Sequence, residues 1–259
     1  MGDKEQSGML RVVVVIALIV IIGISVIFAT VNLTIVSKNQ TNNSATNIST
    51  QIDMAQGKVP SITNDSNDGK YVYQFNDQNK TAKLSYYSVQ KGGRDVTVPT
   101  KVTKDRTEYT VTSIDDATFM SRSLTSVAIP DSITSIGNRA FMDNNLTTVV
   151  LPSNLKSIGD QAFQNNQISS IVWPKSLNYM SQSAFRYNKL TSLEIPDGAT
   201  YIDFNAFANN SLTNVSFPDT ITGIYNGAFA SNNISKVVVP SAVTSPENAF
   251  DENVSISTK

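Results

Sequence analysis

A β-rich solenoid of parallel short strands, held outside a membrane by a single N-terminal helix, is predicted by three observations in the sequence. A 22-residue period runs through the C-terminal half, each period carries one short alternating apolar segment ending in proline, and a long uncharged apolar run lies near the N-terminus. Composition narrows the chemistry before any element is placed. Lys and Arg number 20 against 21 Asp and Glu, and charged residues are only 16% of the chain, so the positive field that nucleic-acid phosphates require is missing. The sequence has no Cys and no His, which excludes disulfides, thiolate nucleophiles, imidazole bases and the usual zinc sites. An exported domain of this composition must be stable through core packing alone.

Residues 1–11 are expected to be a cytoplasmic N-terminus and Val12–Val31 a transmembrane helix. The run carries no charge over 20 positions, and at about 1.5 Å per helical residue it spans the roughly 30 Å hydrocarbon core. A buried soluble helix and a cleaved signal peptide are the alternatives. A signal peptide has an apolar region of only about 7–15 residues followed by a small-x-small site; this run is longer, and Ile27 and Ala29 do not make that site. Lys4 and Arg11 precede the run and only Lys38 follows closely, so the excess of positive charge points inward and places the C-terminal domain outside the cell. Met1-Gly2 opens a myristoylation pattern that Gln6 breaks.

Residues 32–69 are expected to be a flexible tether, because the composition turns to Asn, Thr, Ser and Gln with too little apolar surface to offset the entropy of ordering. Sequons such as Asn42-Asn-Ser arise readily in such a segment. The stretch Asn64–Gly69 loosely resembles a calcium loop, but Phe75 stands where the bidentate Glu is required, so a turn is the simpler expectation. Residues 70–110 are expected to form a β-hairpin cap: Tyr71–Phe75 and Ala82–Tyr87 alternate around the turn Asn76–Lys80.

From residue 111 to 259 the period takes over. Six segments align without gaps at a step of 22, from Leu124-TSVAIP to Ile234-SKVVVP, with prolines at 130, 152, 174, 196, 218 and 240. So regular a period is the signature of a solenoid. In each segment the first, fourth and sixth residues share one face, as a strand requires, and proline, lacking an N–H, ends the pairing. An Ala-Phe pair follows, with Phe141, Phe163, Phe185, Phe207 and Phe229 in step and Phe250 one residue short. No single unit can cover its own apolar residues, so neighbours must stack into a continuous core. The strands are then expected in one parallel sheet through Val127, Val149, Ile171, Leu193, Val215 and Val237.

Three residues after each phenylalanine stands an asparagine: Asn144, Asn166, Asn188, Asn210 and Asn232, and again Asn253. Amides in register can bond the backbone of the turn feeding the next strand, so the column is expected to be a structural ladder. A sugar- or metal-binding role is the alternative, although a site would need only one or two of them.

The unit L-x-x-[VIL]-x-[IVLF]-P-x-x-[LI]-x-x-I-G-x-x-A-F-x-x-N resembles the leucine-rich repeat of the BspA type, found on bacterial surface proteins and some parasitic protists. The resemblance covers residues 111–253 and implies a leucine-rich-repeat solenoid with a binding role. Family repeats often carry Cys where this chain has Asn. The Gly after Ile is kept at Gly137 and Gly159 but replaced by Ser181, Asp203 and Tyr225, which suggests a turn that tolerates a side chain.

No enzyme is expected, and no catalytic, cofactor-binding or metal-binding residue. The pairs Asp115-Asp116 and Asp251-Glu252 are adjacent in sequence, so on extended chain they point apart. The outward residues of the strands are Ser126, Ala128, Thr148, Val150, Ser170, Val172, Ser192, Glu194, Asn214, Ser216, Lys236 and Val238. They form a small, hydroxyl-bearing, almost uncharged face that suits a protein ligand. It lacks the exposed aromatics of a sugar site, since Trp173 falls at an inward position. Residues 70–110 are rich in Lys and Arg while acids dominate beyond 190, so a basic end resting on anionic envelope polymer or lipid is a further possibility beside a simply solvated surface. Two functions fit: an adhesin- or receptor-like surface binding module, favoured by the resemblance, and a structural or assembly component of the envelope with no soluble ligand.

Overall fold

The computed structural model describes residues 62–63 and 69–259; the expected cytoplasmic N-terminus, the transmembrane helix and most of the tether lie outside them. Among the described residues no helix is long and apolar enough to cross a membrane. In chain order the strands are β1 (Ile62–Thr63), β2 (Tyr71–Asn76), β3 (Thr81–Tyr87), β4 (Asp95–Thr97), β5 (Lys101–Lys104), β6 (Thr107–Ile114), β7 (Ser126–Ala128), β8 (Ser135–Ile136), β9 (Ser157–Ile158), β10 (Tyr179–Met180), β11 (Ser192–Glu194), β12 (Tyr201–Ile202), β13 (Asn214–Ser216), β14 (Gly223–Ile224), β15 (Lys236–Val239) and β16 (Ser255–Thr258). A four-residue helix, α1 (Val89–Gly92), lies between β3 and β4.

β2 and β3 pair antiparallel around a turn in which the Asn76 carboxamide accepts the N–H of Gln78. β1, within the segment expected as tether, pairs antiparallel with β2. β3 lies parallel to β6, so the hairpin joins directly onto the repeat coil, and β5 folds back antiparallel on β6. The Tyr87 ring sits 5.1 Å from Phe119 and extends the aromatic interior toward the N-terminus.

Three columns of hydrogen bonds link successive coils, and only one of them lies on the strands anticipated from the sequence. On the proline-terminated strand side, β4 pairs with β7, β11 with β13 and β15 with β16, all parallel. The single continuous sheet is not formed. Thr148–Val150 and Ser170–Val172 belong to no strand, and the ladder there is reduced to isolated bonds such as Ser169 N–H to Thr147 O at 3.2 Å. The other two columns explain why the stack survives this gap.

The second column is built by the two-residue strands after each proline, where β6, β8 and β9 run in register and then β10, β12 and β14. It breaks once, between β9 and β10. At Gly137, Gly159, Asp203 and Tyr225 the backbone N–H donates to the carbonyl one coil back, but at this step it is the Ser181 hydroxyl that donates to Ile158 O, at 2.5 Å. A second hydroxyl, Ser176, donates to Leu155 O across the same gap. The turn is therefore not uniformly tolerant of a side chain, which corrects the sequence-based expectation. A Cβ on Gly159 would lie 2.4 Å from the backbone nitrogen of Asn138, and one on Gly137 would lie 2.6 Å from that of Asp116. Where Ser181 takes this position, a hydroxyl has entered between the coils.

The third column is the turn around each phenylalanine and is bonded at every step. Phe119 N–H donates to Ala140 O, Phe141 to Ala162, Phe163 to Ala184, Phe185 to Ala206, Phe207 to Ala228 and Phe229 to Ala249, all at 2.8–2.9 Å. The rings of the buried phenylalanines stack coil upon coil, with centroids 4.9 Å apart from Phe119 to Phe141 and again from Phe141 to Phe163. With the backbone satisfied on this side, the strand side can leave groups to solvent, where its outward residues are exposed.

Candidate functional site

All twelve outward residues of the strand side are exposed, while Val149, Leu193, Val215 and Val237 between them are buried and Val127 and Ile171 half-buried. Alternation along the extended chain causes this, since every second side chain must leave the core. Val150 and Val172, on adjacent coils, are each 74% exposed and make a small apolar spot on the part of the side that no ladder covers. The hydroxyls of Thr148, Ser170, Ser192 and Ser216 take no partner among the described residues, so they are available to a ligand. Ser126 differs: its hydroxyl and that of Thr125 donate to Asp95, at 2.8 and 2.7 Å, and these bonds hold the Asp95 carboxyl below its usual range. Of the twelve only Glu194 and Lys236 are charged.

The asparagines sit on the opposite side of the chemistry, inside the coil. Asn144, Asn166 and Asn188 are buried and Asn210 and Asn232 half-buried. Each carboxamide oxygen accepts an N–H from the residue twenty positions earlier, as in Leu124 to Asn144 at 2.9 Å and Ile168 to Asn188 at 3.0 Å. Each amide nitrogen donates to two phenylalanine carbonyls on neighbouring coils, for Asn188 those of Phe163 and Phe185 at 2.9 and 3.1 Å. With these bonds filled, the amides have little capacity left for a ligand. Asn253 does not join them: it is exposed, and the Asp251 carboxylate instead accepts Ser231 N–H at 2.9 Å and Asn232 N–H at 3.3 Å. The repeat closes one residue early at Phe250, which displaces Asn253 from the column.

Trp173 is buried and donates its ring N–H to Leu177 O at 2.7 Å. Asp115 accepts from Lys83 at 3.0 Å, whereas Asp116 accepts the N–H of Asn138, so the adjacent carboxylates serve different partners. At the basic end Lys101 pairs with Glu108, while Lys80 and Lys104 keep their charge and lie over the rings of Tyr109 and Phe75.

Sequence reasoning missed the side formed by the second column. The outward positions there run Lys83, Ser113, Ser135 and Ser157 in register, and then Tyr179 and Tyr201. Beside the serines is a shallow cavity of about 340 Å³, floored at Gly137 and Gly159 and ending at Tyr179. Tyr179 and Tyr201 stack at 5.2 Å, Tyr225 meets Tyr201 edge-on at 6.2 Å, and Phe204 lies 5.2 Å from Tyr225. The residue before each second-column isoleucine, followed at the 22-residue step, would have revealed this change from serine to tyrosine.

The family profile described as the BspA type leucine rich repeat region, in six copies, matches residues 112–235 and 181–258, together more than half of the chain. No curated protein matches the chain. Among solved structures, a leucine rich cell surface protein from Faecalibacterium prausnitzii is similar at 26% identity and a TM-score of 0.58, over 78% of this chain and 55% of that one. This chain thus spans little more than half the length of that relative. The leucine rich repeat protein of T. pallidum shares the fold, with 23% identity and a TM-score of 0.52 over 68% of this chain and 86% of its own. The repeat period, the stacked coils and the profile match agree that the chain belongs to the BspA-type leucine-rich-repeat family.

Proposed function

We propose that this protein is a membrane-anchored, cell-surface binding module that takes a protein ligand on the strand side of its coil. The observation that carries the proposal is the exposed, almost uncharged strand side, with Val150 and Val172 as an apolar spot bordered by unpartnered hydroxyls. An apolar centre with a polar rim is the usual anatomy of a protein interface, and a flat side extending over several coils can supply the roughly 800 Å² per partner that a stable interface uses. The Phe column and the Asn ladder hold this side rigid, which lowers the entropic cost of binding. The β2–β3 hairpin serves as the cap on the first open end of the core. Placement outside the cell is supported by the uncharged run Val12–Val31, by the positive charges preceding it and by the surface description of the Faecalibacterium relative.

Two measurements on the full-length protein test the two halves of the proposal. Protease added to intact, wall-stripped cells should release the repeat domain by cutting between Asn32 and Asp68. Repeats protected until the membrane is permeabilised would reverse the placement. Thr148→Arg/Ser170→Arg/Ser192→Arg should lose at least tenfold in affinity for the protein ligand captured by the wild type, with an unchanged melting temperature. Equal binding by this variant would remove the strand side as the site.

A further inference from the structure

The side of the coil built on β8, β9, β10, β12 and β14 carries a second exposed surface, distinct from the strand side. It has two halves. The first is polar: Ser113, Ser135 and Ser157 follow one another in register, and Asn138 and the bare backbone of Gly137 and Gly159 complete a trough of about 340 Å³. The second is aromatic: Tyr201, Phe204 and Tyr225 are 36%, 43% and 45% exposed, in continuation of the trough from Tyr179. Gly223 is central to their arrangement. It occupies the outward position that holds Tyr201 one coil earlier and Tyr179 two coils earlier, and the Tyr225 ring lies over it, edge-on to Tyr201.

We propose that this trough binds an uncharged polysaccharide along the axis of the coil. Three features select that ligand. A pyranose presents apolar C–H groups on one face and hydroxyls at its rim, and it meets here exposed rings at one end and the hydroxyls of Ser113, Ser135 and Ser157 at the other. The surface repeats once per coil, with Tyr179 and Tyr201 5.2 Å apart, a spacing close to the length of one sugar unit in an extended chain. Adjacent coils can therefore engage adjacent units. Charge disfavours the polyanionic alternatives: Lys83 is paired with Asp115, leaving Asp116 in the trough and the Asp203 charge near Tyr201, and carboxylates repel uronate, sulfate or phosphate chains.

The test is affinity electrophoresis of the full-length protein in detergent, through gels containing a neutral polysaccharide: a mixed-linkage β-glucan, a xyloglucan or glycogen. An alginate gel serves as the anionic control. At least one neutral polymer should retard the wild type, and Tyr201→Ser and Phe204→Ser should each weaken that retardation at least tenfold at an unchanged melting temperature. Thr148→Arg/Ser170→Arg/Ser192→Arg, on the strand side, should be retarded as the wild type is, which separates this surface from the protein-binding one. Should Tyr201→Ser unfold, Phe204→Ser alone decides, because the Phe204 ring lies at the exposed margin of the cluster. No retardation by any of the three neutral polymers, retardation by alginate alone, or retardation that survives both substitutions would overturn the proposal. So would loss of a captured protein ligand on Tyr201→Ser in the absence of glycan binding.

Discussion

Asn188 joins three segments of chain with one side chain: its carbonyl oxygen accepts Ile168 N–H, and its amide nitrogen donates to Phe163 O and Phe185 O. Removing it strands buried backbone groups on two coils, and leaving such groups unpaired costs about 1–3 kcal/mol. Asn188→Ala should lower the denaturant midpoint by that amount and leave ligand binding intact; wild-type stability with lost binding would make the amide a site. Tyr109 gives a pH-dependent counterpart. Its hydroxyl donates to the Asp77 carboxylate, and that bond, followed by burial and the nearby carboxylate charges, pushes the phenol up to about 12. The same bond lowers Asp77. A raised phenol stabilises the fold fully below its ordinary value of about 10 and loses that contribution as pH rises through about 12. The lowered carboxyl acts in the opposite window, contributing above the ordinary carboxylate value and losing its contribution as pH falls through the depressed one. NMR titration of the Tyr109 ring should find the high value in the wild type and a return toward the ordinary one in Asp77→Ala. An ordinary value in both would contradict the contact. The Asn column was legible in the sequence because identical side chains recur at one step, whereas the substitution of Asp251 for Asn253 was not, because a one-residue deletion shifts the register.

Among the elements, two glycines on either side of the second-column isoleucine, Gly159 after Ile158 and Gly223 before Ile224, have opposite environments. A Cβ on Gly159 would press on the backbone of Asn138 at 2.4 Å, whereas one on Gly223 would meet the Tyr201 Cβ at an ordinary 3.5 Å. Gly159→Ala should therefore destabilise by about 1–3 kcal/mol, the range for overpacking, and Gly223→Ala should be nearly neutral. Equal midpoints for both variants in urea unfolding would show that coil spacing does not restrict this column. The proline-terminated strands were legible through their alternation, but the gaps at Thr148–Val150 and Ser170–Val172 were not, because those segments alternate as well as the others do. The turn column was hidden for a different reason. Its repeated left-handed residues are Ala117, Arg139, Gln161, Ser183, Asn205 and Gly227 at one position, and Ser121, Asp143, Asn165, Tyr187, Asn209 and Ser231 at another. Glycine, the usual mark of such a conformation, takes only the Gly227 position among these twelve, so composition gave little sign of the turn. Hydrogen bonds between coils, which join residues 20 or 21 positions apart, hold it in place together with local bonds such as Met142 N–H to Arg139 O.

At the scale of the whole molecule, the structure is a stack in which each coil contacts its neighbours, with β16 pairing on β15 at the C-terminal end. Different sides of one coil are specialised: the phenylalanine turn holds the stack together, the strand side is left exposed, and the tyrosine side continues a trough. The period alone reveals the stack. It does not reveal which side is left open, because that depends on where backbone groups find partners. The central claim is that the open strand side is where a protein partner binds, and hydrogen–deuterium exchange of the full-length protein, free and with its captured ligand, tests it most directly. In the free protein the amides of Thr148–Val150 and Ser170–Val172, outside any ladder, should exchange fast while Phe141, Phe163 and Phe185 exchange slowly. Ligand should slow exchange at 148–150, 170–172 and 192–194 and leave the phenylalanine turn unchanged. Protection confined to the turn column or to the asparagines, with the strand side exchanging as fast as before, would contradict the account.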